Sequence, residues 1–142
     1  MRRGAAFALA AALLAAPALA SAAVDPPPDP ADAAYQQCIE TSDGTDPAWA
    51  RCGGAYMQAE EARLNEVWRQ VYGALKDASK PLLLAEQRAW IAYKDASCAY
   101  YSSADFGRTG EALNFPACRG AVVAARVAYL QSVGGAEALS PP

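Results

Sequence analysis

The sequence predicts an all-α fold: a small antiparallel bundle of three main helices plus a short N-terminal helix, stapled by two disulfides. Three observations lead there. Apolar residues recur at three- and four-residue spacing in three separate stretches, while no stretch alternates as a half-buried strand would. The junction around Ser79 is short, and short junctions make antiparallel helical neighbours. Four cysteines sit in a chain whose head has the layout of an export signal.

That head has three parts. Arg2 and Arg3 precede an apolar run from Ala5 to Ala16, and Ala18, Ala20, Ser21, Ala22 and Ala23 supply the small residues that signal cleavage requires. Residues 1–23 therefore read as a signal peptide, cut after Ala20 or Ala23. Residues 24–30, Val-Asp-Pro-Pro-Pro-Asp-Pro, form a stiff spacer, because each proline fixes its φ and lacks an amide donor. The ordered body is expected over 31–133, with a loose tail over 134–142.

Within the body, Ala31–Glu40 reads as the short helix, and Thr41-Ser42-Asp43-Gly44-Thr45 is turn chemistry that ends it. Asp46-Pro47 then reads as N-cap and first helical residue. Tyr56, Leu64, Val67, Trp68, Val71, Tyr72 and Leu75 make one apolar face of a long helix over about 47–77. Glu60, Glu61, Arg63, Glu66, Arg69 and Gln70 are left to face water. Gly53-Gly54 weaken its first turns.

Ser79 caps the second helix, whose inner stripe is Leu83, Leu84, Gln87, Trp90, Ile91, Lys94 and Cys98. Periodicity is lost between Ala99 and Ala117, where Gly107, Gly110 and Pro116 mark a loop. From Ala117 to Val133, Cys118, Val122, Ala125, Arg126, Tyr129 and Leu130 restore the helical spacing, although the valines leave a strand open. Gly134-Gly135 is expected to stop this helix.

An exported chain keeps its cysteines where disulfides persist. Cys38, Cys52, Cys98 and Cys118 allow three pairings; their spacings of 14 and 20 favour Cys38 with Cys52 and Cys98 with Cys118. The hairpin around Ser79 returns Cys98 to the end where the third helix starts with Cys118, which favours the same pairing. A four-thiolate zinc site is the poorer reading, since its ligands usually pair at two to four residues.

Charge narrows the partners. The chain has 12 basic and 15 acidic residues, a formal −3, and without Arg2 and Arg3 the balance is 10 to 15, a formal −5. Such a surface repels nucleic acid and anionic lipid. No later stretch approaches the roughly 18 apolar residues of a spanning helix. Cys38 lies well beyond the cleavage point, so no cysteine is placed to carry a lipid. A soluble periplasmic or secreted protein without a membrane anchor is expected.

Histidine is absent, which removes the commonest general base and metal ligand. No HExxH, glycine-rich phosphate loop or serine elbow occurs. Glu60, Glu61, Glu86 and Asp95 are the candidate carboxylates for a glycosidase; the three glutamates fall on outward or flanking helix positions and read as solvated charges. A non-enzymatic protein without cofactor or metal is the expectation.

Leu64-Asn65-Glu66-Val67-Trp68, followed by Ala85-Glu86-Gln87-Arg88-Ala89-Trp90-Ile91-Ala92-Tyr93-Lys94-Asp95-Ala96-Ser97-Cys98, resembles the LprI-like lysozyme inhibitor N-terminal family. The likeness runs on through Cys118 to Arg126 and Leu130. Trp68, Lys94 and Glu61 depart from that pattern, standing where Tyr, Arg and Asp are usual, and a lone Gly110 replaces a glycine pair. The resemblance implies an exported, disulfide-bonded helical domain that inhibits lysozyme.

The signature side chains themselves read as structural. Gln87, Trp90, Lys94 and Cys98 share one face of the second helix, and Asn65 stands at a height to meet it. With Asp95 and Arg126, which is expected to neutralise Asp95 or Glu61, they form a polar lattice that joins the helices. The loop offers different chemistry. Tyr100, Tyr101, Phe106 and Arg108 are residue types that dominate protein interfaces, and a disulfide at the loop's base would pre-organise them. The partner expected is a protein, with a basic lysozyme suited to the −5 charge. The alternative is a structural or immunity-like module of the envelope with a different protein partner.

Overall fold

A computed structural model describes residues 29–138, and among these the chain is helical without strands. The signal peptide, residues 24–28 of the spacer and residues 139–142 of the tail lie outside the described residues. Asp29 caps α1 (Pro30–Glu40), its carboxylate accepting from the Ala31 amide at 2.9 Å. Pro30 stands in the first turn, where a missing amide donor costs nothing. The two last spacer residues thus belong to the helix start.

After the Thr41–Thr45 turn, α2 (Asp46–Ala74) begins with the Thr45 hydroxyl accepting from the Ala48 amide at 3.4 Å. It runs unbroken through Gly53-Gly54, contrary to the weakened start expected from those residues. Burial supplies the reason: Gly53 is packed beneath Pro116, and tertiary contact outweighs glycine's penalty of about 1 kcal/mol. α3 (Lys80–Ala96) follows, then a 3₁₀ turn (Ala99–Ser102), the single turn α4 (Gly107–Thr109), a π-helical turn (Gly110–Asn114) and α5 (Phe115–Ala138).

The region read as a loop is therefore mostly short helical turns, and α5 starts two residues before the expected Ala117. Its other end also differs. Gly134-Gly135 do not stop α5, which continues to Ala138. Val133 packs on the core, and a Cβ on Gly134 would lie 3.2 Å from Val71, so α2 holds the helix together across the glycines.

Cross-contacts fix the directions. Gly53 meets Pro116, Tyr56 meets Gly120 and Gly134 meets Val71, so α2 and α5 run parallel. α3 runs against both: Lys94 reaches Glu61, and Gln87 reaches Arg126. α1 runs against α2, from the Cys38–Cys52 bridge past the stacked Tyr35 and Tyr56 rings to the Asp29–Arg63 ion pair. The antiparallel order along the chain is as predicted, with α2 and α5 as the parallel pair it entails.

The main core joins Leu64, Val67, Val71, Leu75, Leu83, Val123, Val127 and Leu130, with Trp68, Tyr72, Trp90 and Val133 at its edge. Each such side chain contributes roughly 1.5–3 kcal/mol on leaving water. α3 lies outermost and buries only Leu83 and Gln87, so Ile91, expected inward, is 42% exposed. A second cluster of Tyr35, Tyr56 and Cys52 fills the α1–α2 seam. Both disulfides form with the pairing that the spacings favoured, Cys38–Cys52 and Cys98–Cys118.

Candidate functional site

The chain leaves α3 through Cys98, whose φ of 67° is left-handed and unusual for a residue with a Cβ. That sharp turn lets Cys98 bridge to Cys118 in the first turn of α5, with Cα atoms 5.9 Å apart. Arg119 reinforces the junction by donating to the carbonyls of Asp95 at 3.1 Å and Ser97 at 3.2 Å. Between these anchors the segment folds back on itself at Gly110. A Cβ there would come within 2.3 Å of the Phe106 Cβ and 2.5 Å of the Tyr101 carbonyl oxygen, so only glycine permits the closure.

The closure gathers three aromatic rings. Tyr100 and Tyr101 lie 4.3 Å apart between centroids, and Phe106 meets Tyr101 edge-on at 4.9 Å and Tyr100 at 5.9 Å. Such contacts stiffen the cluster, yet Tyr100 stays 56% exposed and Phe106 43%. Hydrogen bonding to Tyr101 raises the Tyr100 hydroxyl above its ordinary pKa.

Arg108 points elsewhere. It lines an open groove of about 440 Å³ between the start of α2 and the loop, together with Asp46, Met57, Ser102, Glu111 and Phe115. Neither Arg108 nor Glu111 has an ion-pair partner among the described residues. Thr109 donates to Asp46 at 3.3 Å and closes one side of the groove. Asp46 and Glu111 set two carboxylates against the single guanidinium of Arg108 in the groove, and Asp43 and Arg51 line a neighbouring hollow beside the Cys38–Cys52 bridge.

The polar lattice is only partly assembled. Arg126, 6% exposed, donates from Nε to Gln87 at 2.9 Å, pairs with Glu86, and lies over the Trp90 ring at 5.6 Å and the Tyr129 ring at 4.9 Å. Its anionic partner is thus Glu86, not the expected Asp95 or Glu61. Tyr129 also donates to Glu86, which raises the tyrosine's pKa. Asp95 instead faces Arg119 at 3.5 Å and Lys94 at 3.6 Å, and Lys94 reaches Glu61 at 2.8 Å. Asn65 joins neither group. It follows Leu64 on α2, and the 100° step between neighbours turns its side chain to water, while its backbone carbonyl accepts from Arg69 Nε.

Glu60 reverses its expected place. Expected on the water face, it is fully buried, and neither carboxyl oxygen has a hydrogen-bond partner. The signal lies in the spacing: Glu60 stands four residues after Tyr56 and four before Leu64, inside the apolar stripe. Reading it by charge rather than by position misplaces it.

The family described as Lysozyme inhibitor LprI matches residues 38–130, from the first cysteine to the last leucine of the main core. No curated protein and no solved structure matches the chain. The match spans more than half of the sequence and takes in both disulfides, the aromatic turn and the Gln87–Arg126 contact, and the chain therefore belongs to the LprI lysozyme inhibitor family.

Proposed function

We propose that the protein is an exported, non-catalytic binding protein that inhibits a lysozyme-like muramidase, contacting it through the segment between Cys98 and Cys118. The observation that carries this reading is the Tyr100–Tyr101–Phe106 cluster, with Tyr100 and Phe106 exposed, held by a disulfide at its base and closed at Gly110. A surface ordered before binding loses little entropy on binding, and exposed aromatic anchors supply the contacts that dominate interfaces.

Electrostatics agrees with a basic target. The acidic residues around the groove draw a cationic protein towards this end, most strongly at low salt. Arg108, unpaired and exposed, is free to meet a carboxylate of the enzyme's cleft. Membership of the inhibitor family supports the target class, and two formed disulfides without a free thiol support an oxidising compartment.

The test is lysis of bacterial cell walls by a basic lysozyme, with and without the oxidised domain lacking residues 1–23. Micromolar protein should suppress lysis in a dose-dependent manner, and a 1:1 complex should appear by calorimetry. Undiminished lysis together with no binding heat would reject the proposal. Capture of a different envelope protein would favour the structural or immunity-like alternative.

A further inference from the structure

Among the described residues, Glu60 is the fully buried carboxyl of the molecule, 0% exposed. The cation within reach, Arg63, stands 3.8 Å away and is already paired with Asp29. The other titratable groups that interact with it are Asp32 from α1 and Tyr56 from α2; the Tyr56 hydroxyl is committed to Asp32, and Tyr35 is stacked on the Tyr56 ring. The arginines of α5 face other partners, Arg119 taking Asp95 and Arg126 taking Glu86 and Gln87. Ionising Glu60 in place therefore sets an unsolvated carboxylate near that of Asp32. Burial first, and the Asp32 charge second, raise its pKa above the ordinary value.

The surrounding architecture can respond. α1 is tied to α2 covalently at one end only, by Cys38–Cys52. Its other half is held by the Tyr35–Tyr56 stack, the Asp32–Tyr56 hydrogen bond and the Asp29–Arg63 pair, all on the Glu60 side of the bridge. From the same half of α1, the Tyr35 hydroxyl donates to the Leu113 carbonyl at 3.1 Å, reaching the π-helical turn behind the groove.

We propose that Glu60 is a proton-controlled latch on α1. With the carboxyl protonated, α1 lies closed on α2 and Tyr35 steadies the 110–114 turn; with it ionised, the N-terminal half of α1 swings off about the Cys38–Cys52 bridge, hydrates Glu60 and releases the turn. Only the consequence for inhibition rests on the loop being the binding surface; the latch itself does not.

Amide exchange on the full oxidised protein between pH 5 and 8 tests the latch, read as protection factors for the first half of α1 relative to α2. Protection should fall with rising pH, approaching about tenfold per pH unit in the window between an ordinary carboxyl pKa and the raised one. Glu60→Gln should be flat, and carboxyl carbon NMR of the unsubstituted protein should place the Glu60 midpoint above the ordinary range. An ordinary midpoint, pH-independent protection, or an unchanged slope in Glu60→Gln would overturn the proposal. If the latch moves while no lysozyme is inhibited at either pH, the loop reading fails alone; if inhibition is strong and α1 protection flat, the latch fails alone.

Discussion

The Tyr56 ring occupies the space that any side chain at position 120 would need. A Cβ on Gly120 would lie 2.0 Å from Tyr56 Cε1 and 2.4 Å from Cζ, so the ring packs against the α5 backbone while it also stacks on Tyr35 at 4.6 Å. One glycine thus lets α1, α2 and α5 meet at one level. Gly120→Ala should lose about 1–3 kcal/mol of stability through overpacking. Gly54, also within a helix but with open space around it, should gain up to about 1 kcal/mol on the same change. Urea denaturation of both variants reads the opposite signs; a stabilised Gly120→Ala would show that the ring yields easily.

Arg126→Ala should cost about 2–3 kcal/mol, because it leaves the buried Gln87 amide without its partner and uncovers Trp90. The ion pair itself adds little, since Glu86 is 45% exposed on its side chain. Glu86→Gln should accordingly cost under about 1 kcal/mol. Equal losses in thermal unfolding would contradict this division.

Replacing Cys98 and Cys118 together by serine should remove on the order of 3 kcal/mol, as expected for a closed segment of 20 residues. It should also release Tyr100 and Phe106 from their contact geometry, which nuclear Overhauser effects between the rings would report. The core built by α2 and α5 lies outside that closed segment apart from its base, so the double variant should retain its helical circular dichroism.

Tyr100→Ala combined with Phe106→Ala should weaken binding of a target lysozyme by at least about tenfold, with stability changed by less than about 1 kcal/mol. Both rings are exposed and neither belongs to a buried cluster. Arg108→Glu should weaken binding further, by setting a carboxylate where the arginine would meet one. Calorimetry and lysis assays together check this; full inhibition by the double variant would move the interface elsewhere.

Stability should also report Glu60. A carboxyl whose pKa is higher in the folded protein binds its proton more tightly there, so the folded state is favoured at low pH and loses ground as pH rises from the ordinary carboxyl range through the raised value. Glu60→Gln should therefore match the unsubstituted protein near pH 4 and exceed it at pH 8. Chemical denaturation at the two pH values provides the comparison, and a destabilised Glu60→Gln at pH 8 would reverse the sign.

The amphipathic stripes of α2 and α5 were legible because many apolar side chains repeat on one face, and that repeat survives a few exceptions. Cysteine spacing favoured the observed pairing because α1 and α2 are short-range neighbours and the α3 hairpin returns Cys98 to the start of α5. The aromatic segment was recognisable by composition, but its ring cluster, its closure at Gly110 and its short helical turns were not. Those depend on where two distant anchors hold the chain. Ile91 lies outside because α3 packs along a single line of side chains and leaves its flanks to water, and Asn65 because the helical step from buried Leu64 turns it off the core face of α2.

Sequence alone determined that this chain makes helices, the main apolar stripes of α2 and α5, and which cysteine pairing its spacings favour, since each follows from spacing along the chain. Tertiary structure decided where charge resides. Glu60 is buried, Arg126 takes Glu86, and α5 continues through two glycines. Each of these local costs is set against contacts from residues distant in sequence, and only folding brings those residues together.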